Sequence, residues 1–302
     1  MVHRPVVLSR RQLLIGGTAA AGALLLGACG DDDGGGEGSA TSTAPDGVGE
    51  EGLALVPFVG GAPVHVPGPV RVPFGVADAD GLLPIDAAPA ELEVQVLDGD
   101  GTALGDPVPL ARRADGLPRP YYALRLAVAA PGVYTVRTEI DGIGSELAFQ
   151  VFEPDQAVLL GPGDALPAIA TPTAVDAHGV DPICTADPVC PLHEVTLADA
   201  LGEGRPTALL VSTPAFCQLA ICGPVLDVTL AVREQFPDVR FVHAEVYAEP
   251  EVDLERTAPI VDALGLHFEP CLFLAGSDGQ IVERLDTIFD EVELAERLAA
   301  LA

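Results

Sequence analysis

The chain contains no lysine, no asparagine and no tryptophan. The first absence removes lysine chemistry and the second removes any Asn-linked glycan. Positive charge is scarce as well: 15 arginines face 45 aspartates and glutamates. Three of those arginines, Arg4, Arg10 and Arg11, lie near the N-terminus. Residues 30 to 302 therefore set 45 acids against 12 arginines, a net charge of −33. Such a surface repels nucleic acid and anionic lipid headgroups, so neither is expected as a direct partner. Long apolar runs are few. The one from Leu13 to Ala28 is broken by glycines and falls short of the roughly 20 residues a membrane span needs.

That run has flanks of its own. Arg10 and Arg11 precede it, and Leu26-Gly27-Ala28-Cys29 closes it. Basic residues, an apolar stretch and then small residues make an export signal. The arginine pair resembles the twin-arginine signal, and Leu-Gly-Ala-Cys resembles the bacterial lipobox. The resemblance implies a signal peptide over residues 1–29, with Cys29 as the lipid-attachment site. It also implies a protein held by lipid on the extracytoplasmic face of the cell membrane. The alternative is an uncleaved anchor helix, which leaves the rest outside the membrane too. Residues 30–52, opening with Asp31-Asp32-Asp33-Gly34-Gly35-Gly36, cannot bury apolar area and are expected to be a disordered linker.

From 53 to 153 the signals are those of strands. Leu92, Val94 and Val96 alternate with Glu91, Glu93 and Gln95, and Asp98-Gly99-Asp100-Gly101 turns the chain. Leu124, Leu126 and Val128 alternate again, as do Tyr134, Val136 and Thr138, and Asp141-Gly142 precedes a run from Leu147 to Phe152. Short strands at such spacing predict an all-β sandwich. Pro131-Gly132-Val133-Tyr134 resembles the corner of immunoglobulin-like domains, where a tyrosine pins the backbone. No cysteine falls in this region, and His65 is its one histidine, so it is expected to be a spacer or partner-binding module.

From 158 to 302 the pattern changes. Thr196 to Leu201 predicts a short helix. Leu209, Leu210 and Val211 are apolar without alternation and stop at Ser212-Thr213-Pro214, as a short buried strand does. Val225, Leu226, Thr229, Leu230 and Val232 predict a following helix. Cys217 lies at the turn between them, where the positive end of the helix dipole favours a thiolate. A cystine that only ties the loop is the alternative. A strand over Val239 to Val246, a helix over Ala258 to Leu264, a strand after Glu269-Pro270 and a hairpin at Ser277-Asp278-Gly279-Gln280 follow. Asp290 to Leu301 predicts a last helix with Val292, Leu294, Ala295, Leu298 and Leu301 on one side.

The order β-α-β-α-β-β-α, with a proline leading into the third strand, resembles the thioredoxin fold over residues 158–302. Leu210 to Cys217 is similar to that family's active-site strand and cysteine, with Phe216 where tryptophan is usual. Val195 to Leu201 resembles the short helix of the membrane-tethered, TlpA-like branch. The resemblance implies an α/β thioredoxin-like domain, Cys217 as nucleophile, Cys222 as resolving cysteine, and Pro270 as a cis-proline beside the active-site sulfur. The chain departs from the family in its spacing, Cys-x4-Cys for Cys-x-x-Cys. On an ideal helix, residues five apart stand about 8.6 Å from each other, too far for a disulfide. Cys217 and Cys222 can pair only if the chain between them forms a loop before the helix, with Gly223 as a cap and Pro224 in the first turn. The family's buried acid has no counterpart on the strand that carries Leu210 and Val211.

Six cysteines in all leave Cys184, Cys190, Cys217, Cys222 and Cys271 after Cys29. Cys184 and Cys190 flank a short proline-containing loop, for which a structural bridge is the default. Cys271 is read as a small buried hydrophobe, or else as a third exchangeable thiol. The expected function is a lipid-anchored thiol–disulfide oxidoreductase that needs no cofactor and meets protein disulfides or a redox partner protein. The alternatives are a Cu(I)-binding protein similar to the copper chaperones of this fold, and a non-catalytic binding scaffold. A copper site would use Cys217, Cys222 and His267, with His193 and His243 as further imidazoles.

Overall fold

A computed structural model describes residues 52–59, 63–217 and 220–301. The leader, Cys29 and all of the 30–52 segment except Gly52 lie outside the described residues. Among the described residues no helix is long and apolar enough to cross a membrane.

The chain first builds two antiparallel sheets. In one, β2 (Gly68–Asp78) pairs with β1 (Ala54–Pro57), β3 (Gly81–Leu82) and β6 (Tyr122–Val128). The other runs in the order β5 (Val108–Ala111), β4 (Glu91–Leu97), β7 (Gly132–Ile140), β8 (Ile143–Val151). Alternation puts one face of each inward, so Val72 and Phe74 meet Val94, Val136, Leu147 and Phe149 in one core. The Tyr134 hydroxyl donates to the Ala130 carbonyl at 2.8 Å, the corner bond its position predicts. His65 is buried, and burial pushes its imidazole down to about 4.

Strand β2 is buried along nearly its whole length, because both of its faces are covered. Val70, Val72, Phe74 and Val76 face the core between the sheets. Arg71 faces the other way, toward the C-terminal segment, and is 7% exposed. Leu117 and Tyr121 likewise join the apolar cluster of the C-terminal helices rather than that of the sheets.

The C-terminal segment forms a four-stranded sheet in the order β10 (Arg240–Ala244), β9 (Thr207–Val211), β13 (Cys271–Ala275), β14 (Ile281–Asp286). β9 and β10 are parallel, and the other pairings are antiparallel. Around it are α1 (Leu197–Gly202), α2 (Cys222–Arg233), α3 (Pro259–Leu264) and α4 (Glu291–Ala299). A hairpin, β11 (Tyr247–Glu249) with β12 (Asp253–Thr257), separates β10 from α3 and is absent from the sequence expectation. The expectation for the last helix also needs correction. Leu294 and Leu298 are buried, but Val292 is 45% exposed, and Glu293 is the residue that turns inward.

Gly265 ends α3 at φ +69° and ψ +31°. Its Cα packs so tightly on the Val158 carbonyl that any Cβ would collide with backbone. Gly265→Ala is therefore expected to lose about 2 kcal/mol or more, from the left-handed penalty together with that collision. Gly202, at the end of α1, has open space around it. Gly202→Ala should be neutral or slightly stabilising. Urea midpoints of the two variants give the comparison.

Candidate functional site

Strand β9 ends at Val211, and Ser212 and Thr213 continue it, fully buried, toward the turn that carries Cys217. The sequence pattern predicts Gly223 as the helix cap, but the cap is Ile221 and Cys222 is the first helical residue. Ala220, just before it, takes a positive φ of 52°. The widened loop does what the spacing requires. It brings Cys217, half-buried, against Cys222, fully buried. The helix N-terminus consequently meets Cys222, not Cys217.

Glu269 completes the group. Its carboxylate and the two sulfurs lie within 4.8 Å of one another. The Cys222 thiol donates to Glu269 Oε2 at 3.3 Å, and the Thr213 N–H donates to the same oxygen at 2.6 Å. Burial, then the charge of Cys217, pushes the Glu269 carboxyl up to about 7. Burial, then the hydrogen bond with Cys217 and the charge of Glu269, pushes the Cys222 thiol far up. Tyr247 stands close to the group, and burial followed by the charges of Glu269, Cys217 and Cys222 raises its hydroxyl. The family resemblance points for an acid to the strand of Leu210 and Val211, which carries none. The acid instead immediately precedes Pro270, across a peptide bond that is cis. Pro270 itself is buried, and β13 starts directly after it.

The other expected site residues are placed as follows. His267 is exposed and lies outside the Cys217 group. Cys271 is fully buried and packs with Val211 and Phe273. Its thiol donates to Asp286 Oδ1 at 3.4 Å, and burial pushes it well up. The structure thus places Cys271 as a buried thiol and does not gather it with Cys217 and Cys222. Cys184 and Cys190 do come together, both as thiols, and two histidines join them. His193 arrives from the same loop and His243 from β10. A hydrogen bond from Cys190 holds the Cys184 thiol down, and the same bond holds Cys190 up. Nothing in the residue pattern near either histidine links them, since 50 residues separate the two rings.

No family model matches this chain, and no curated protein matches it. Solved structures similar to part of it include these two. One is BslA, a bacterial hydrophobin, at 17% identity over 34% of this chain and 99% of its own, with a TM-score of 0.20. The other is the PKD domain of the human VPS10 domain-containing receptor SorCS2, at 21% identity over 42% of this chain and 98% of its own, with a TM-score of 0.20. At those scores neither likeness carries an argument about the cysteine site.

Proposed function

We propose that this protein is a thiol–disulfide oxidoreductase acting through Cys217 and Cys222. The observation that carries the proposal is the group formed by Cys217, Cys222 and Glu269, which precedes Pro270. Cys217, the more exposed sulfur, attacks a substrate disulfide as the thiolate. The substrate S–S bond breaks, one substrate sulfur leaves as a thiolate, and a mixed disulfide forms on Cys217. Glu269 takes the proton of Cys222, and the new thiolate attacks Cys217 Sγ. The second substrate sulfur leaves, and the chain holds a Cys217–Cys222 disulfide that a redox partner protein reduces. Two electrons pass to the substrate, and no cofactor takes part.

A β-rich body joined to a sheet of mixed strands with the helix order described above supports two finer assignments. These are an immunoglobulin-like sandwich for the first part and a thioredoxin-like domain for the second. The leader supports a lipid-anchored protein at the extracytoplasmic face, where disulfides are the available substrates. Glu269 favours redox chemistry over Cu(I) binding at this group, because a carboxylate is a hard ligand and Cu(I) prefers soft ones.

The test is differential alkylation of the chain from Cys29 onward across a graded glutathione series. A Cys217–Cys222 couple that opens and closes reversibly above about −300 mV is expected, and Cys217→Ser should abolish it. A pair that never oxidises, or a bridge that no buffer in the series opens, would overturn the proposal.

A further inference from the structure

Cys184, Cys190, His193 and His243 are each 5% exposed or less. Their inward-facing atoms all lie within 4.8 Å of one another. The outer nitrogen of each ring is already committed. His193 Nδ1 lies 3.3 Å from the Pro172 carbonyl, and His243 Nε2 lies 3.1 Å from the Ser212 carbonyl. A carbonyl only accepts, and the Ser212 hydroxyl, 3.0 Å from His243 Nε2, can accept as well, so both outer nitrogens carry the proton. The inner nitrogens of the neutral rings, His193 Nε2 and His243 Nδ1, are then both lone pairs, and they face each other at 3.2 Å. His243 Nδ1 also lies 3.4 Å from Cys190 Sγ and 3.8 Å from Cys184 Sγ. Four lone-pair donors thus converge on one buried point, and each ring is oriented by a backbone carbonyl as in metal-bound histidines.

The spacing fits a metal. Tetrahedral Zn2+ with bonds of about 2.0–2.1 Å to nitrogen and about 2.3 Å to sulfur separates two nitrogens by about 3.3 Å and a nitrogen from a sulfur by about 3.6 Å. The corresponding contacts here are 3.2 Å for N···N and 3.4 and 3.8 Å for N···S. Charge selects the ion. Two thiolates and two neutral imidazoles neutralise a divalent cation, whereas a monovalent ion would leave a net negative charge buried without a partner. We propose that Cys184, Cys190, His193 and His243 form a closed structural Zn2+ site. Its position gives it a purpose. The Thr185 hydroxyl accepts from the Ala215 N–H at 3.2 Å, so the loop that the metal fixes also props the turn leading to Cys217. This site stands apart from the redox group, and either proposal can fail without the other.

The test uses the chain from Cys29 onward, purified under reductant, with metal content read by plasma mass spectrometry. One zinc per chain is expected. Replacement by Co2+ should give the visible bands of a tetrahedral S2N2 ion. Cys184→Ser and His243→Ala should lose the metal, whereas Cys217→Ser and Cys222→Ser should keep it. His193→Gln, which keeps much of the ring's volume, should weaken Zn2+ binding at least tenfold. If the variants do not fold, the Co2+ spectrum of the unmodified chain, with protection of Cys184 and Cys190 from alkylation, decides the matter. A reduced chain that takes up no zinc and re-forms a Cys184–Cys190 bridge would overturn the proposal. So would stoichiometric copper in place of zinc, or a cobalt spectrum lost with Cys217 and Cys222.

Discussion

Arg71→Ala should destabilise the protein by about 3–5 kcal/mol, the usual cost of leaving one member of a buried ion pair alone. Arg71 donates to Glu293 through Nε at 2.8 Å and through a terminal nitrogen at 2.7 Å, a two-bond fork. The two side chains are 6% and 1% exposed. Arg125 sits directly opposite Arg71 across the β2–β6 ladder, and Glu293 accepts from it too, at 2.8 Å. Two like charges at facing positions repel, so this carboxylate is what allows the arginines to be neighbours. The Tyr121 hydroxyl gives it a further bond at 2.6 Å. Replacing Arg71 with Met and Glu293 with Leu together should cost well under the sum of the single changes, since no lone charge then stays buried.

Acidity should show the same contact. Burial by itself would raise the Glu293 carboxyl, but the charge and hydrogen bonds of Arg71, then Arg125, outweigh it and hold the group well below the usual range. A depressed carboxylate contributes stability above its unfolded value of 4.5, and that contribution is lost as pH falls below it. Urea titrations between neutral pH and pH 3 should show a decline that Glu293→Gln flattens. Equal slopes for the two proteins would show that Glu293 is not the responsible group.

The second large effect belongs to Glu269. Glu269→Gln should slow resolution of the mixed disulfide by about 10²- to 10⁴-fold, the range for loss of a positioned proton acceptor. With its carboxyl near 7, resolution should speed up as pH rises through that value, and the limb should vanish in the variant. Stopped-flow decay of a mixed disulfide on Cys217 measures both. An unchanged rate and limb would remove Glu269 from the mechanism. Stability should move the opposite way. A raised folded value means that the native state binds the extra proton between 4.5 and about 7, so stability falls as pH rises through that window. The glutamine variant escapes this loss and should be more stable at neutral pH, by up to about 3 kcal/mol. A slower but sturdier variant is the signature of a group retained for chemistry.

Local pattern carries some of this architecture and not the rest. The helices and the strands around Leu209 and Leu272 are legible because each is a single apolar run or stripe with a clear stop. Strand β2 is not, because Pro69 and Pro73 interrupt it and an arginine sits in its middle. That arginine is buried only because α4 supplies Glu293, a partner 222 residues away. The Cys217–Cys222 pair is visible as a motif, and the need for a loop between the two follows from helix geometry. Glu269 is not legible because the acid comes from the segment before Pro270 and not from the strand where the family resemblance puts it. His193 and His243 could not be joined from sequence, since only the pairing of β10 with β9 and the bond from the His243 N–H to the Leu192 carbonyl carry one ring to the other.

The double coverage of β2 bears on modularity. A fragment starting at Val158 would keep every cysteine of both groups, yet it would carry Glu293 without either arginine and would bare the surface that Leu117 and Tyr121 cover. The two sheets therefore supply a wall that the C-terminal segment does not build for itself. The C-terminal segment is thus not a cassette that can be excised and grafted elsewhere, because it leans on the strand that it borrows.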